Sequence, residues 1–181
     1  MSSGDDDAAL IRRCLVNDSQ AQRVLVERYR SRVWRLARNA TGSPEDAFDI
    51  AQETFVAAFA ALPRYDPARP FGAWLTRIAL NKCRDWSRRR AVRRMFEFAM
   101  PEGHETAYAD DAASPDRIAS GRAELDAVSR AIADLPTRLK EVLLLRAVEG
   151  MSQAETAALL GITEKAVETR LARARGKLSA L

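Results

Sequence analysis

Apolar residues return along this chain at helical rather than strand spacing, and the breaks between them fall at glycine, at proline and at Asn17-Asp18. Residues 5 to 17 predict a short helix, opened by Asp5, Asp6 and Asp7 and striped by Leu10, Ile11, Cys14 and Leu15. Ser19 followed by Gln22 has the form of a capping box. Leu25, Tyr29, Val33 and Leu36 then continue at helical spacing until Gly42 supplies a stop. Ser43-Pro44-Glu45-Asp46 is a strong start signal, with a serine cap, a proline in the first helical position and two acids at the positive end of the dipole. The helix it opens runs to about Leu62 before Pro63, and Ala47, Ile50, Ala51, Phe55, Ala58, Phe59 and Leu62 form its apolar stripe. Asp49, Gln52, Glu53 and Val56 share a different face, and on pattern alone that patch is simply solvent-facing.

A short loop, Arg64 to Arg69, stiffened by Pro67 and Pro70, is expected to hold Tyr65 over the start of the next helix. That helix, from Pro70 to Arg94, packs Phe71, Trp74, Leu75 and Ile78 on one side and lines up Arg77, Asn81, Arg84 and Arg88 on another. Trp74, beside Phe71 and Ile78, reads as a core residue. After Arg94 the pattern weakens, and 96–116 is acidic, rich in small residues and aperiodic, which predicts a flexible linker. Ser114-Pro115-Asp116 restarts helical structure. Leu125, Val128, Ile132 and Leu135 predict one helix, and Leu139, Val142 and Leu143 the next, ended by Gly150. Ser152 with Glu155 is a capping box, Ala157 and Ala158 are small enough for a close helix crossing, Gly161 makes a turn, and Thr163 caps a last helix holding Val167, Leu171 and Leu178. A short helix, a glycine turn and a longer basic helix form the helix-turn-helix pattern.

Charge sharpens this picture more than composition does. A hydrophobic content of 47% with few glycines and prolines fits a soluble helical protein, and the net charge of +4 is modest. The positive charge is concentrated, however: Lys82, Arg84, Arg88-Arg89-Arg90 and Arg93-Arg94 are offset only by Asp85. Such a run is either a solvated face or the footprint of a nucleic-acid backbone. The last helix exposes Lys165, Glu168, Thr169, Arg170, Arg173, Arg175 and Lys177, side chains of the kind that meet phosphates and base edges. Cys14 and Cys83 stand apart and the single histidine, His104, falls in a loop, so no metal site or cofactor is expected and both thiols read as packing residues. Without a nucleophile, a metal cluster or a phosphate loop, an enzyme is not expected. No apolar run reaches the roughly 18 residues of a membrane span, and the acidic N-terminus is no signal peptide, which points to the cytoplasm and no membrane insertion.

The segments DIAQETFVAAFAAL, RPFGAWLTRIALNKCRDWSRRR, LPTRLKEVLLLRAVEGMSQAETAALLGI and AVETRLARARGKL, in this order, resemble the two domains of bacterial sigma factors of the extracytoplasmic-function class. The resemblance covers nearly the whole chain. It implies an all-α fold of two small helical domains, region 2 over 5–95 and region 4 over 117–181, joined by the acidic linker 96–116. It also implies roles that spacing alone does not give. Asp49, Gln52, Glu53 and Val56 would dock on the clamp helices of the RNA polymerase core. The basic helix would hold the opened strand of the promoter −10 element, with Asn81 and Tyr65 at a pocket for a flipped base and Arg77, Lys82, Arg84 and Arg88 around it. The seven residues of the last helix would read the −35 element. There the chain departs from the commonest family pattern, having Glu168-Thr169-Arg170 where a basic residue and a serine usually precede the arginine, so its −35 sequence cannot be copied from relatives. The linker resembles the family segment that threads toward the polymerase active site, and an anti-sigma factor that covers the docking faces is expected. The rival readings are a sigma-like decoy that sequesters an anti-sigma factor and an ordinary helix-turn-helix regulator; the second leaves the first domain unexplained.

Overall fold

The computed structural model describes residues 3–99 and 127–179, and every regular element among them is helical. Helix α1 spans Ser3–Leu15, α2 Ser19–Thr41, α3 Pro44–Ala61 and α4 Phe71–Ala99, with one 3-10 turn at Leu62–Arg64. Residues 127–133 form α5, followed by α6 Thr137–Leu143, α7 Gln153–Leu160 and α8 Glu164–Leu178. Ser114-Pro115-Asp116, Leu125, His104 and nearly all of the expected linker lie outside the described residues.

The local signals set most of the helix ends. Ser43 accepts a hydrogen bond from the Asp46 amide, Ser152 and Glu155 form a reciprocal capping box, Thr163 caps α8, and Gly42, Gly150 and Gly161 all adopt positive φ. One cap differs from the expected one. The N-cap of α2 is Asp18, whose carboxylate accepts from the Gln20 and Ala21 amides, so Ser19 falls inside the helix and no Ser19–Gln22 box forms. An aspartate one residue earlier offers an anionic acceptor to the same orphan amides, and it also pairs with Arg13.

The first domain packs α1 to α4 around Leu25, Leu36, Ile50, Leu75 and Leu80, each 2% exposed or less. Asp7 fastens α1 to α2 as a buried carboxylate accepting from Arg28 and from the Tyr29 hydroxyl. Thr54 and Thr76 are buried although polar, because each hydroxyl donates to the carbonyl one turn earlier, Ile50 at 2.7 Å and Gly72 at 2.7 Å. Gly72 sits close against α2: a Cβ there would lie 2.7 Å from Arg32 Nη1 and 3.2 Å from Tyr29 Cε1, so the Arg32 guanidinium would have to move aside.

The second domain has a smaller core of Leu135, Val142, Leu143, Ala157, Val167 and Ala174. Residues 127–181 contain no Phe, Tyr or Trp, so this core is wholly aliphatic. Ala157 is buried at the α7–α8 crossing, as expected, but Ala158 is exposed, and so is Val128 on α5. Helix α6 continues into a π turn, Leu144–Val148, a widening that the apolar spacing does not announce. Leu144, Leu145 and Met151 leave this core and join the apolar cluster of the first domain, so the two domains share a seam.

Both cysteines are free and buried, in keeping with packing roles. Burial pushes the Cys83 thiol up from 9.0 to about 12, while Lys140 nearby pulls the other way. The stability that rests on the neutral thiol is therefore complete below pH 9.0 and is lost as the pH climbs toward 12. A disulfide reagent at about pH 8 is expected to find no reactive thiol in the native chain and both in the urea-unfolded chain. Fast native reaction of either would contradict this packing.

Candidate nucleic-acid and polymerase interface

Three surfaces carry the candidate residues. On α3, Asp49, Gln52 and Val56 are exposed, Val56 at 71%. Phe48, 57% exposed, extends the same face one turn earlier; it lies off the buried stripe at the i, i+4, i+8 spacing of Phe48, Gln52 and Val56, a signal the sequence reading passed over. Glu53 is half-buried and reaches across to α4, 3.3 Å from Lys82 Nζ and 3.9 Å from Arg89. The face is thus apolar and acidic, and its one half-buried acid is anchored by the basic helix.

On α4 the apolar and basic residues divide as the spacing predicts. Phe71, Leu75, Leu80, Cys83 and Trp86 are buried, while Arg77, Asn81 and Arg88 are exposed. Trp74 packs against the first-domain core, as expected, but its burial is incomplete. It lies 5.1 Å from the Tyr65 ring and 5.5 Å from Phe71, with Tyr65 set edge-on to Phe71 at 5.6 Å. The loop does hold Tyr65 over the start of the helix, and the Tyr65 hydroxyl donates to the Arg69 carbonyl, which closes the loop on itself. Partial burial raises the Tyr65 hydroxyl above its usual range, so it stays protonated and able to donate. The result is a stepped aromatic ledge beside the polar face of α4.

That polar face is engaged within the chain. Arg77 Nη2 donates to the carbonyls of Leu159 at 2.9 Å and Ala158 at 3.3 Å, at the C-terminal end of α7. Arg84 grips Glu141 of α6 with two nitrogens, Nη2 to Oε2 at 2.8 Å, and donates from Nη1 to the Asn81 amide oxygen at 3.0 Å. The carboxylate raises the Arg84 pKa further, so its charge is fixed. Lys82 pairs with Glu53 and Arg88 with Asp85, while Arg90 stacks 5.1 Å over the Trp86 ring.

On α8, Lys165, Glu168, Thr169, Arg173, Arg175 and Lys177 are exposed. Lys165 lies 2.9 Å from Glu168, which partly neutralises the acid in the expected reading surface, and the Thr169 hydroxyl donates to the Lys165 carbonyl at 2.9 Å. Arg170 is half-buried and, with Asn81, Arg84, Arg88, Arg138 and Glu141, lines a cleft of about 830 Å³ between the domains. The cleft gathers candidate residues from both expected DNA faces.

Among the described residues no three His, Cys, Asp or Glu side chains gather as a metal site, and no described helix is long and apolar enough to cross a membrane. Residues 25–93 match the family Sigma-70 region 2, and residues 125–178 match Sigma-70, region 4. The chain is 44% identical to the RNA polymerase sigma factor CnrH of Cupriavidus metallidurans over 185 aligned positions, spanning 100% of this chain and 96% of that protein. It is 35% identical to the ECF RNA polymerase sigma factor ShbA of Streptomyces griseus, over 96% of this chain and 93% of that one. The solved structure of CnrH in complex with the cytosolic domain of CnrY superposes with a TM-score of 0.69 at 37% identity, covering 97% of this chain and 96% of that one. A helix-turn-helix behind a basic, aromatic-edged helix, matched from end to end by proteins of one kind, places the chain in the extracytoplasmic-function class of RNA polymerase sigma factors.

Proposed function

We propose that this chain binds the RNA polymerase core through Asp49, Gln52, Glu53 and Val56, to which Phe48 adds an apolar contact, and directs promoter recognition and opening. We divide the chain into region 2 over 5–95, a linker over 96–116 and region 4 over 117–181, although α4 continues helical to Ala99, past the first of these boundaries. Tyr65, Arg77, Asn81, Lys82, Arg84 and Arg88 hold the opened −10 strand, and Lys165, Glu168, Thr169, Arg170, Arg173, Arg175 and Lys177 meet the −35 duplex. The observation that carries the reading is the 44% identity to a sigma factor along the whole chain. The side-chain chemistry supports it. An asparagine amide can pair with a base edge, an aromatic ledge can take an unstacked base, and arginines hold the strand by its phosphates. Linking two modest DNA-binding modules through polymerase raises their effective concentration, so neither needs to bind tightly alone.

The chain itself makes and breaks no covalent bond; polymerisation belongs to the core, and no cofactor is called for. It works in the cytoplasm, where polymerase and promoter are. A protein partner that holds it in reserve, an anti-sigma factor, fits the exposed apolar residues Phe48 and Val56, and CnrH has been solved with the cytosolic domain of CnrY.

Run-off transcription by purified core polymerase on a pool of genomic promoter fragments tests the reading, with specific start sites expected only when the chain is present. If no fragment fires while the chain still binds core or a sigma-like partner, it is a decoy. Asp49→Ala combined with Glu53→Ala is expected to weaken core association about tenfold or more, as loss of interface anchors does. The ion pairs of Glu53 are too exposed for their loss to unfold the domain. Unchanged association would show that the α3 face is only solvated.

A further inference from the structure

Asp7 is a charged side chain on the buried face of α1, only 6% exposed. One carboxylate oxygen accepts from Arg28 and the other from the Tyr29 hydroxyl, both of α2. A buried carboxylate is tolerated only where it is paired and hydrogen-bonded, and helix packing alone does not call for one, since Leu10, Ile11 and Cys14 already seat α1. What Tyr29 touches explains the placement. Its ring stands edge-on to Phe71 at 5.3 Å, and its Cε1 would lie only 3.2 Å from a Cβ at Gly72, so it abuts the first turn of α4. Phe71, 4% exposed, in turn meets Tyr65 edge-on at 5.6 Å and Trp74 at 5.5 Å. We propose that Asp7 is a positioning residue for the aromatic ledge, fixing the Tyr29 ring against which Phe71 and then Tyr65 take their places; this rests on the reading of Tyr65 as part of the base pocket.

Two further observations connect α1 to the ledge as well as to α2. Helix α1 borders the 3-10 turn Leu62–Arg64, which Tyr65 follows directly. The Tyr65 hydroxyl also feels the Asp7 charge, which after burial is the next cause that raises it. The Tyr29 hydroxyl is raised too, by burial first and then by its bond to Asp7, so it remains a donor to that carboxylate. Close-packed rings pass a displacement on, because there is no free space to take it up. A Tyr29 ring released from Asp7 would therefore let Phe71 and Tyr65 settle in more than one arrangement. A surface that stacks on an unpaired base works best when its supporting side chains are already locked, and Asp7 supplies that lock from the far side of the domain core.

The test uses the full chain with 3-fluorotyrosine at Tyr29, Tyr65 and Tyr108, the fluorine resonance of Tyr65 being assigned by its loss in Tyr65→Phe. Asp7→Ala and Tyr29→Phe are each expected to shift or broaden that resonance. In holoenzyme, on a fragment that fires in run-off transcription, both should reduce promoter opening by about threefold to tenfold, the scale of a small misplacement, with core association unchanged. Asp7→Asn is the conservative rescue: its amide oxygen accepts from Arg28 while its NH2 donates to the Tyr29 oxygen. The resonance and the opening should return toward wild type in Asp7→Asn, although its melting temperature stays lowered because the ion pair is gone. A Tyr65 resonance that neither Asp7→Ala nor Tyr29→Phe moves overturns the positioning role, whatever the DNA does. Opening that follows melting temperature alone across the variants, with no rescue in Asp7→Asn, also overturns it, since a plain scaffold role gives that result. If the resonance moves and opening does not, the role is overturned and Tyr65→Ala tells which part failed. Impaired opening there leaves the base pocket standing without Asp7; normal opening removes the pocket itself. Should Asp7→Ala fail to fold, Tyr29→Phe, which keeps the Asp7–Arg28 pair, decides.

Discussion

Leu145→Ala is expected to destabilise the folded chain by about 3 kcal/mol, with the loss concentrated in the second domain and its seam. Leu145 is 0% exposed, sits in the π turn after α6, and packs with Leu144 and Met151 in the cluster built chiefly from first-domain residues. Truncation removes transfer free energy and leaves a cavity that a widened, already irregular turn between packed helices is poorly placed to collapse. The tryptophans, Trp34, Trp74 and Trp86, all belong to the first domain, so tryptophan fluorescence follows that domain while far-UV dichroism follows both. In a urea titration the dichroism midpoint should move to clearly lower denaturant and the fluorescence midpoint should move less. Coincident, unshifted transitions would mean that Leu145 joins nothing across the seam.

Tyr65→Ala and Asn81→Ala should each reduce promoter opening by about tenfold to a hundredfold, the worth of a base–aromatic stack or of a base-edge pair. Neither side chain lies inside the first-domain core: Tyr65 packs against its edge through Phe71 and Trp74, and Asn81 is exposed with its oxygen turned to Arg84. Core polymerase association and binding to the duplex −35 element should not change, because α3 and α8 keep their surfaces. Tyr65→Phe separates ring from hydroxyl: it retains the ledge and loses only the loop-closing bond to Arg69, so opening should stay near wild type. Permanganate footprinting of the melted region reads the outcome. Normal melting in both alanine variants would remove the base pocket from this face of α4.

Much of this architecture was legible because it is local. Ser43, Ser152 with Glu155, Gly161 and Thr163 announce helix ends through bonds spanning a few residues, and the structure contains each of them. The helix-turn-helix and the two-sided α4 follow from spacing. Local competition explains one miss, since Asp18 outbids Ser19 for the same amides. Thr54 and Thr76 interrupt the apolar pattern yet are buried, because a hydroxyl can satisfy itself on its own helix. Trp74 packs against the core as its neighbours on the helical wheel imply, with Tyr65 from the preceding loop on it and part of the ring left open. What no spacing reveals is the pairing of Arg84 with Glu141 or Arg32 with Glu149, residues far apart in the chain whose meeting depends on how the domains dock. The basic face of α4 did imply something negative opposite. Part of that charge lies in the chain itself.

The absence of aromatic rings from the second domain bears on how the two halves tolerate sequence change over time. A core of leucine, valine and alanine accepts volume-conserving exchanges at less than about 1.5 kcal/mol each, so the scaffold under α8 can drift while its outward residues are re-chosen. The ledge of Tyr65, Phe71 and Trp74, one pair edge-on and two tilted, allows no such latitude, because the three rings hold their relation only as a set. Lineages descending from a chain of this kind should therefore diversify the outward residues of α8 faster than the shape of the aromatic ledge proposed to receive a base.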